Sequence, residues 1–114
     1  MTFSGPWTSG VSSDYAGGGT RYASAAGATA SHTFTGSSVG WVAAVGPGRG
    51  SADVYIDGVF RSTVNLHAAT RATRQIVFVA SWASQGSHTI EIVVAGTPGH
   101  PRVDVDAFVH LFQP

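Results

Sequence analysis

From Ser51 to Leu66 the chain runs Ser-Ala-Asp-Val-Tyr-Ile-Asp-Gly-Val-Phe-Arg-Ser-Thr-Val-Asn-Leu, two stretches of alternating apolar and polar residues flanking Asp57-Gly58. Asp-Gly suits a two-residue type I′ turn, whose central residues both need positive φ, so the segment predicts a β-hairpin. Similar period-two alternation, punctuated by glycine-rich turns, recurs along nearly the whole chain and never gives way to a helical period. The chain is therefore expected to be all-β, with function carried by loops and exposed sheet faces.

Other strands are expected near Trp7 to Ser9, at Arg21 to Ser24, at Ala30 to Thr35 ending on Gly36, and at Val39 to Ala43. Further strands are expected at Arg74 to Ala80, Ser87 to Val94 and Arg102 to His110. Phe34, Trp41 and Phe78 lie in continuous strand patterns and read as core, as do Ile90, Ile92 and Val94. In the closing strand Val103, Val105, Ala107 and Val109 share one face and Asp104, Asp106, Phe108 and His110 the other. Gly46 to Gly50 and Thr97 to Pro101 are loops, and Ala68 to Ala72 forms an irregular turn. About eight antiparallel strands with this spacing fit a β-sandwich, and no longer self-repeat suggests a propeller or solenoid.

A chain of 114 residues fits one domain, taken here as residues 1–114. With 43% hydrophobic and only 11% charged residues it is too apolar and too weakly charged to be disordered. Six arginines, with no lysine, balance six acids, so no basic field draws nucleic acid or anionic lipid. The absence of cysteine removes disulfides and thiolate metal sites. No stretch has the length of a membrane span and no signal peptide opens the chain, which reads as a monomeric module from a secreted protein whose signal lies elsewhere.

One ordered set of segments carries a resemblance: Arg21-Tyr22-Ala23-Ser24, Phe34-Thr35-Gly36, Val39-Gly40-Trp41, Gly50-x-Ala52-Asp53-Val54-Tyr55-Ile56-Asp57-Gly58, Arg74-Gln75-x-Val77-Phe78, His88-Thr89-Ile90 and Val103-Asp104-Val105-Asp106-Ala107-Phe108. In that order they resemble bacterial galactose-binding-like jelly-roll modules, the non-catalytic carbohydrate-binding domains of glycoside hydrolases, over roughly Trp7 to Val109. The resemblance implies a jelly-roll sandwich that holds a linked catalytic or surface domain at a polysaccharide. It also implies a structural calcium tying the first strand to the last through an Asp of the closing strand, which places Asp106 as a ligand. Residues 1–13 contain no Asp, Glu, Asn or Gln, so Asp14 is the nearest N-terminal ligand.

Sugar recognition needs an exposed aromatic ring against the apolar face of a pyranose and planar polar groups for its hydroxyls. Trp7, Tyr15, Tyr22, Tyr55 and Trp82 are the aromatic candidates, of which Tyr15, Tyr22 and Trp82 are taken as sugar-binding together with Arg49 and Arg74; Tyr15 and Trp82 lie in Gly/Ser-rich contexts that read as loops. Asp104 and Asp106, with Asp53 or Asp57, would supply oxygens to calcium, or would instead pair with Arg49, Arg74 and Arg102. His32, His67, His88, His100 and His110 lack zinc-motif spacing and read as scattered surface or turn residues. No Gly-x-Ser-x-Gly elbow is present and Glu91 lies on the polar face of a strand, so catalysis is not expected. The alternative function is a structural or adhesive spacer of the same fold without a ligand.

Overall fold

A computed structural model describes residues 2–11 and 19–111 of the chain. Nine strands occur among them and no helix: β1 (Thr2–Ser4), β2 (Thr8–Val11), β3 (Gly19–Ala23), β4 (Thr29–Val45), β5 (Ser51–Ile56), β6 (Val59–Asn65), β7 (Ala72–Val94), β8 (Val103–Val105) and β9 (Ala107–Leu111). The hairpin forms as expected. Ile56 pairs with Val59, and the two turn residues have φ of 52° at Asp57 and 80° at Gly58, both positive as a type I′ turn requires.

The strand pattern departs from expectation at β4 and β7, each of which was expected as two strands parted by small residues. The ladder between them instead continues through those residues, with Gly36 opposite Gly86 and a register shift between Gly36 and Ser38. Small residues that read as a turn also serve a strand that bends or bulges, because they leave room for the backbone. Each long strand consequently has different neighbours along its length. The start of β4 pairs with β1 and its second half with β9, while only the end of β7 pairs with β5. Trp82, expected in a loop, lies inside β7.

All pairings are antiparallel, with one sheet ordered β1-β4-β7-β5-β6 and β9 added to β4, and the other ordered β2-β3-β8. β8 and β9 are parted only by Asp106, whose N–H donates to the Val42 carbonyl at 2.9 Å. The small sheet thus runs on through β9 into the second half of β4 and the start of β7, giving the two layers of a jelly-roll sandwich.

Between the layers lies a core that includes Phe34, Val39, Trp41, Val54, Leu66, Ile90, Ile92, Val103 and Val105, all buried. Trp41, fully buried, satisfies its indole N–H on the Asp104 carbonyl at 3.2 Å. Strand β5 alternates without a break, with Ala52, Val54 and Ile56 buried, and β7 closes with Ile90, Ile92 and Val94 inward. The closing segment does not keep one phase. Val103 and Val105 are buried, yet Phe108 packs against the core and Val109 is 48% exposed. The break at Asp106 shifts the alternation by one residue, and such a slip exchanges the faces of every side chain beyond it.

Candidate functional site

At the end of the sandwich where β5 begins, three connections meet: 46–50, 66–71 and 97–102. The Gly46–Gly50 loop is bonded to both of the others. Gly46 N–H donates to Leu66 O at 3.0 Å, Ala68 N–H to Gly46 O at 3.1 Å and Leu66 N–H to Gly50 O at 3.0 Å, while Gly50 N–H donates to Arg102 O at 2.9 Å. Parallel bridges join Gly46 to His67 and Arg49 to Arg102. At Gly50 the backbones approach so closely that a Cβ would lie 2.4 Å from the His100 carbonyl oxygen and 2.8 Å from Thr97 Oγ1, so only glycine fits.

Beneath these loops Asp104 is completely buried on β8, and its carboxylate is shared by two arginines. Arg49 Nη2 donates to Oδ2 and Arg102 Nε to Oδ1, both at 2.9 Å. A carboxylate that has lost its hydration depends on such charge-assisted bonds. Arg102, fixed through its Nε, lies with its guanidinium carbon 3.8 Å from the centre of the Tyr22 ring, which is half-buried on β3, where Tyr22 pairs in register with Asp104.

Two imidazoles complete the rim, with ring centres of His67 and His100 4.4 Å apart. His100 Nδ1 lies 2.7 Å from the Arg49 carbonyl oxygen. A carbonyl only accepts, so Nδ1 carries the proton and the lone pair of a neutral ring is on Nε2. His67 is exposed, and its backbone N–H is held by Asn65 Oδ1 at 2.9 Å.

The structure thus brings together two of the residues singled out from sequence, Tyr22 and Arg49, linked through Asp104 and Arg102. Arg49 is not the surface contact expected of it: it is 7% exposed, and its guanidinium is committed to Asp104. Arg74 is exposed, with φ of 55°, where the register of β4 and β7 shifts between the Val45–Ala72 and Ala43–Gln75 pairs. Asp106 is half-buried at the break between β8 and β9. Tyr15 and Asp14 lie outside the described residues. Among the described residues no three His, Cys, Asp or Glu side chains converge as a metal site would require.

Trp82 belongs to the opposite end, where β5 closes into its turn. There it stacks on His88, ring centres 3.7 Å apart and planes 7° from parallel, with Phe34 6.0 Å from each. His88 Nδ1 is 2.6 Å from Asp57 Oδ2, and Thr89 N–H donates to Asp57 Oδ1 at 2.8 Å. The His88 bond first and the Thr89 N–H second hold the Asp57 carboxyl below its ordinary range. One face of Trp82 is therefore covered from within.

The two rim histidines read as scattered residues in the sequence because 32 residues lie between them and no local pattern joins them. Their meeting follows from the parallel bridges that place 66–68 and 102 on either side of the Gly46–Gly50 loop. In the sequence Arg102 reads only as a partner for aspartate. Its stacking on Tyr22 depends on the register of β3 against β8, which composition does not reveal.

No protein-family model matches the chain. It is 33% identical over 111 residues to an A type blood N-acetyl-α-D-galactosamine deacetylase and 35% identical over 106 residues to an A type blood α-D-galactosamine galactosaminidase, both from Flavonifractor plautii. These matches take in 97% and 93% of the chain, which spans only 14% and 9% of those proteins. Two solved carbohydrate-binding modules share its fold almost entire. One is the CBM36-1 domain of a multidomain xylanase from the hindgut metagenome of Trinervitermes trinervoides, with TM-score 0.61, 18% identity and coverage of 95% of this chain and 87% of that one. The other is a CBM36 module in complex with calcium and xylotriose, with TM-score 0.57, 18% identity and coverage of 95% and 90%. The all-β jelly-roll architecture expected from the sequence is the architecture of these modules.

Proposed function

We propose that the chain is a non-catalytic carbohydrate-binding module that holds a linked enzyme at a glycan, and that the end of the sandwich formed by 46–50, 66–71 and 97–102 is its binding site. The observation that carries this reading is the arrangement at that rim: Arg102 held over the Tyr22 ring by the buried Asp104, with the His67 and His100 imidazoles in the adjoining loops. Fixed planar donors next to aromatic rings match what a pyranose offers, hydroxyls around its edge and C–H groups on its face. The loop–loop backbone bonds orient these groups before any ligand arrives, which lowers the ordering cost of binding. Two further supports come from the comparisons: the chain matches whole carbohydrate-binding modules, and it matches only a small part of two enzymes that act on amino sugars. Linking such a module to an enzyme raises the effective substrate concentration.

Arg74 and Arg71 extend the contact surface on this reading, and the single-site affinity is expected between about micromolar and millimolar, because sugar hydroxyls exchange good bonds to water for similar bonds to protein. The assignment of the parent protein to the cell exterior belongs to the same proposal. So does a structural calcium at Asp106. Calcium takes about six to eight oxygens. The described residues bring one carboxylate to that break, and the remaining oxygens would come from carbonyls, water and Asp14.

The test is a glycan array probed with the purified module in calcium and again in chelator, followed by titration of each hit. Binding that is weakened by His67→Ala and by Tyr22→Ala, with the thermal unfolding of His67→Ala unchanged, supports the site. A lower melting temperature in chelator supports the calcium. Silence across the array with the fold intact overturns the reading and leaves the structural spacer.

A further inference from the structure

Away from the rim loops, strands β6, β5, β7 and β4 present a second surface to solvent. On β5 the side chains of Ala52, Val54 and Ile56 are buried, so Asp53 and Tyr55 face outward; on β7 Ile90 and Ile92 are buried, so Glu91 does the same. The register carries one row across all four strands, with Phe60 opposite Tyr55, Tyr55 opposite Glu91 and Glu91 opposite Ser31. Three strand spacings make that row about 14 Å long. Asp53 lies in the next row of the same face, where Thr63 Oγ1 donates to its Oδ1 at 2.7 Å.

The rings of Tyr55 and Phe60 are 5.8 Å apart and tilted by 53°, a cross-strand pair that braces the hairpin. Bracing alone does not need an exposed ring, yet Phe60 is 49% exposed, with Val59 beside it at 63%. Glu91, half-buried on the strand next to Tyr55, has no hydrogen bond or ion pair with any described residue. Its ionised carboxylate can only accept, and so can the second oxygen of Asp53. Arg61, the extra residue at the register shift between Val54 and Tyr55, is the one basic residue of β5 and β6, so the two carboxylates outweigh it.

We infer that this sheet face is a second saccharide-binding surface, which takes a neutral oligosaccharide with Phe60 and Tyr55 as its apolar platform and Glu91 and Asp53 as acceptors for sugar hydroxyls; the inference rests on the carbohydrate-binding reading above. A pyranose shows C–H groups on its face and hydroxyls around its edge, and rings beside acceptor-only carboxylates complement both. The same carboxylates repel uronic and sulfated sugars. The surface is separate from the rim, since Tyr55 lies five residues along the chain from Gly50, about 17 Å of extended strand. Two surfaces on one module strengthen the hold on a long chain without any new contact.

Backbone-amide NMR tests it, with xylohexaose, galactohexaose and mannohexaose as neutral probes and trigalacturonate as the acidic one. At least one neutral probe should shift the amides of Tyr55, Phe60 and Glu91 saturably, with a dissociation constant that His67→Ala leaves unchanged and Phe60→Ala raises about tenfold. Glu91→Ala leaves the hairpin rings in place and should weaken the same titration, so the result does not hang on the ring alone. Shifts confined to the rim loops overturn the second surface while the first reading stands. Shifts on the sheet face that both Phe60→Ala and Glu91→Ala leave at full strength overturn it as well. Trigalacturonate binding there as tightly as the neutral probes overturns the neutral class of ligand. Shifts on the sheet face alone support the inference and overturn the rim as a site. Absence of shifts with every saccharide, together with silence on the wider array, overturns both readings together.

Discussion

Both ends of the sandwich are organised around an aspartate, and the two aspartates are used in opposite ways. Asp104 is completely buried and bonded to two guanidiniums, whereas Asp57 stands in a two-residue turn with 44% of its side chain exposed, bonded to His88 and to the Thr89 N–H. The rings follow the same division. At the Asp57 end Trp82, His88 and Phe34 pack on one another, so one face of Trp82 is taken up by the fold. At the Asp104 end Tyr22 on β3 lies under the Arg102 guanidinium, and His67 and His100 lie in loops, the His100 ring fixed by its bond to the Arg49 carbonyl. A rigid charged base beneath an open rim suits recognition; a small aromatic stack behind an exposed turn closes the sandwich. The difference teaches that an aromatic that reads as loop-borne in a sequence, here Trp82, can lie inside a long strand with a ring stacked on it.

The largest effect expected from this contrast is that of Asp104→Ala. Removing the carboxylate leaves Arg49 buried without its counter-charge, and breaking one side of a buried pair costs about 3–5 kcal/mol. Denaturant unfolding should show that loss, and glycan binding should fall with it as Arg102 is released from Tyr22. A stability loss no larger than that of an exposed aspartate would erase the distinction between the two ends. Gly50→Ala comes next, since its Cβ would meet backbone and not a pliable side-chain tip. A loss of about 1–3 kcal/mol is expected, together with weaker binding, because the 46–50 and 97–102 segments must move apart. Trp82→Leu stays apolar but loses the ring stack and part of the volume at a half-buried position, so about 1–2 kcal/mol of stability should go while glycan binding holds. Loss of binding in that variant with stability retained would shift the site to the Asp57 end.

Much of this architecture is legible in the chain because it depends on local chemistry. The Asp57-Gly58 turn, the alternation of β5 and the inward Ile90, Ile92 and Val94 follow from residue preferences over a few positions. The continuity of β4 and β7 was hidden because Gly36 and Gly86 give the same signal whether a strand stops or bends; only their pairing with each other distinguishes the two. The phase slip at Asp106 escaped for a similar reason, since Val105 and Ala107 look like one alternating series until the Asp106 N–H is seen turning to Val42. Of the site, the partnership of Asp104 with arginine was one of two open readings, and the sequence offered no means to choose between it and a metal. The His67–His100 pair was not legible at all, being a product of loop topology.

The smallest effect separates the two ends by pH. The folded state holds the Asp57 carboxyl below its ordinary range, because His88 and the Thr89 N–H bond the ionised form. A group whose pKa is lowered on folding binds its proton more readily in the unfolded chain, so its contribution is whole above the unfolded value of about 4 and disappears as pH falls through the folded one. Stability should therefore decline on acidification below about pH 4, and Asp57→Asn should remove part of that slope while leaving the Thr89 N–H an acceptor. The size is modest, about 1 kcal/mol or less, because an exposed pair is screened by water. Thermal melts of the native chain and of Asp57→Asn between pH 6 and pH 3 would make the comparison. If the two curves keep a constant separation across that range, the bond contributes through geometry alone, and the Asp57 end differs from the Asp104 end in kind and not merely in burial.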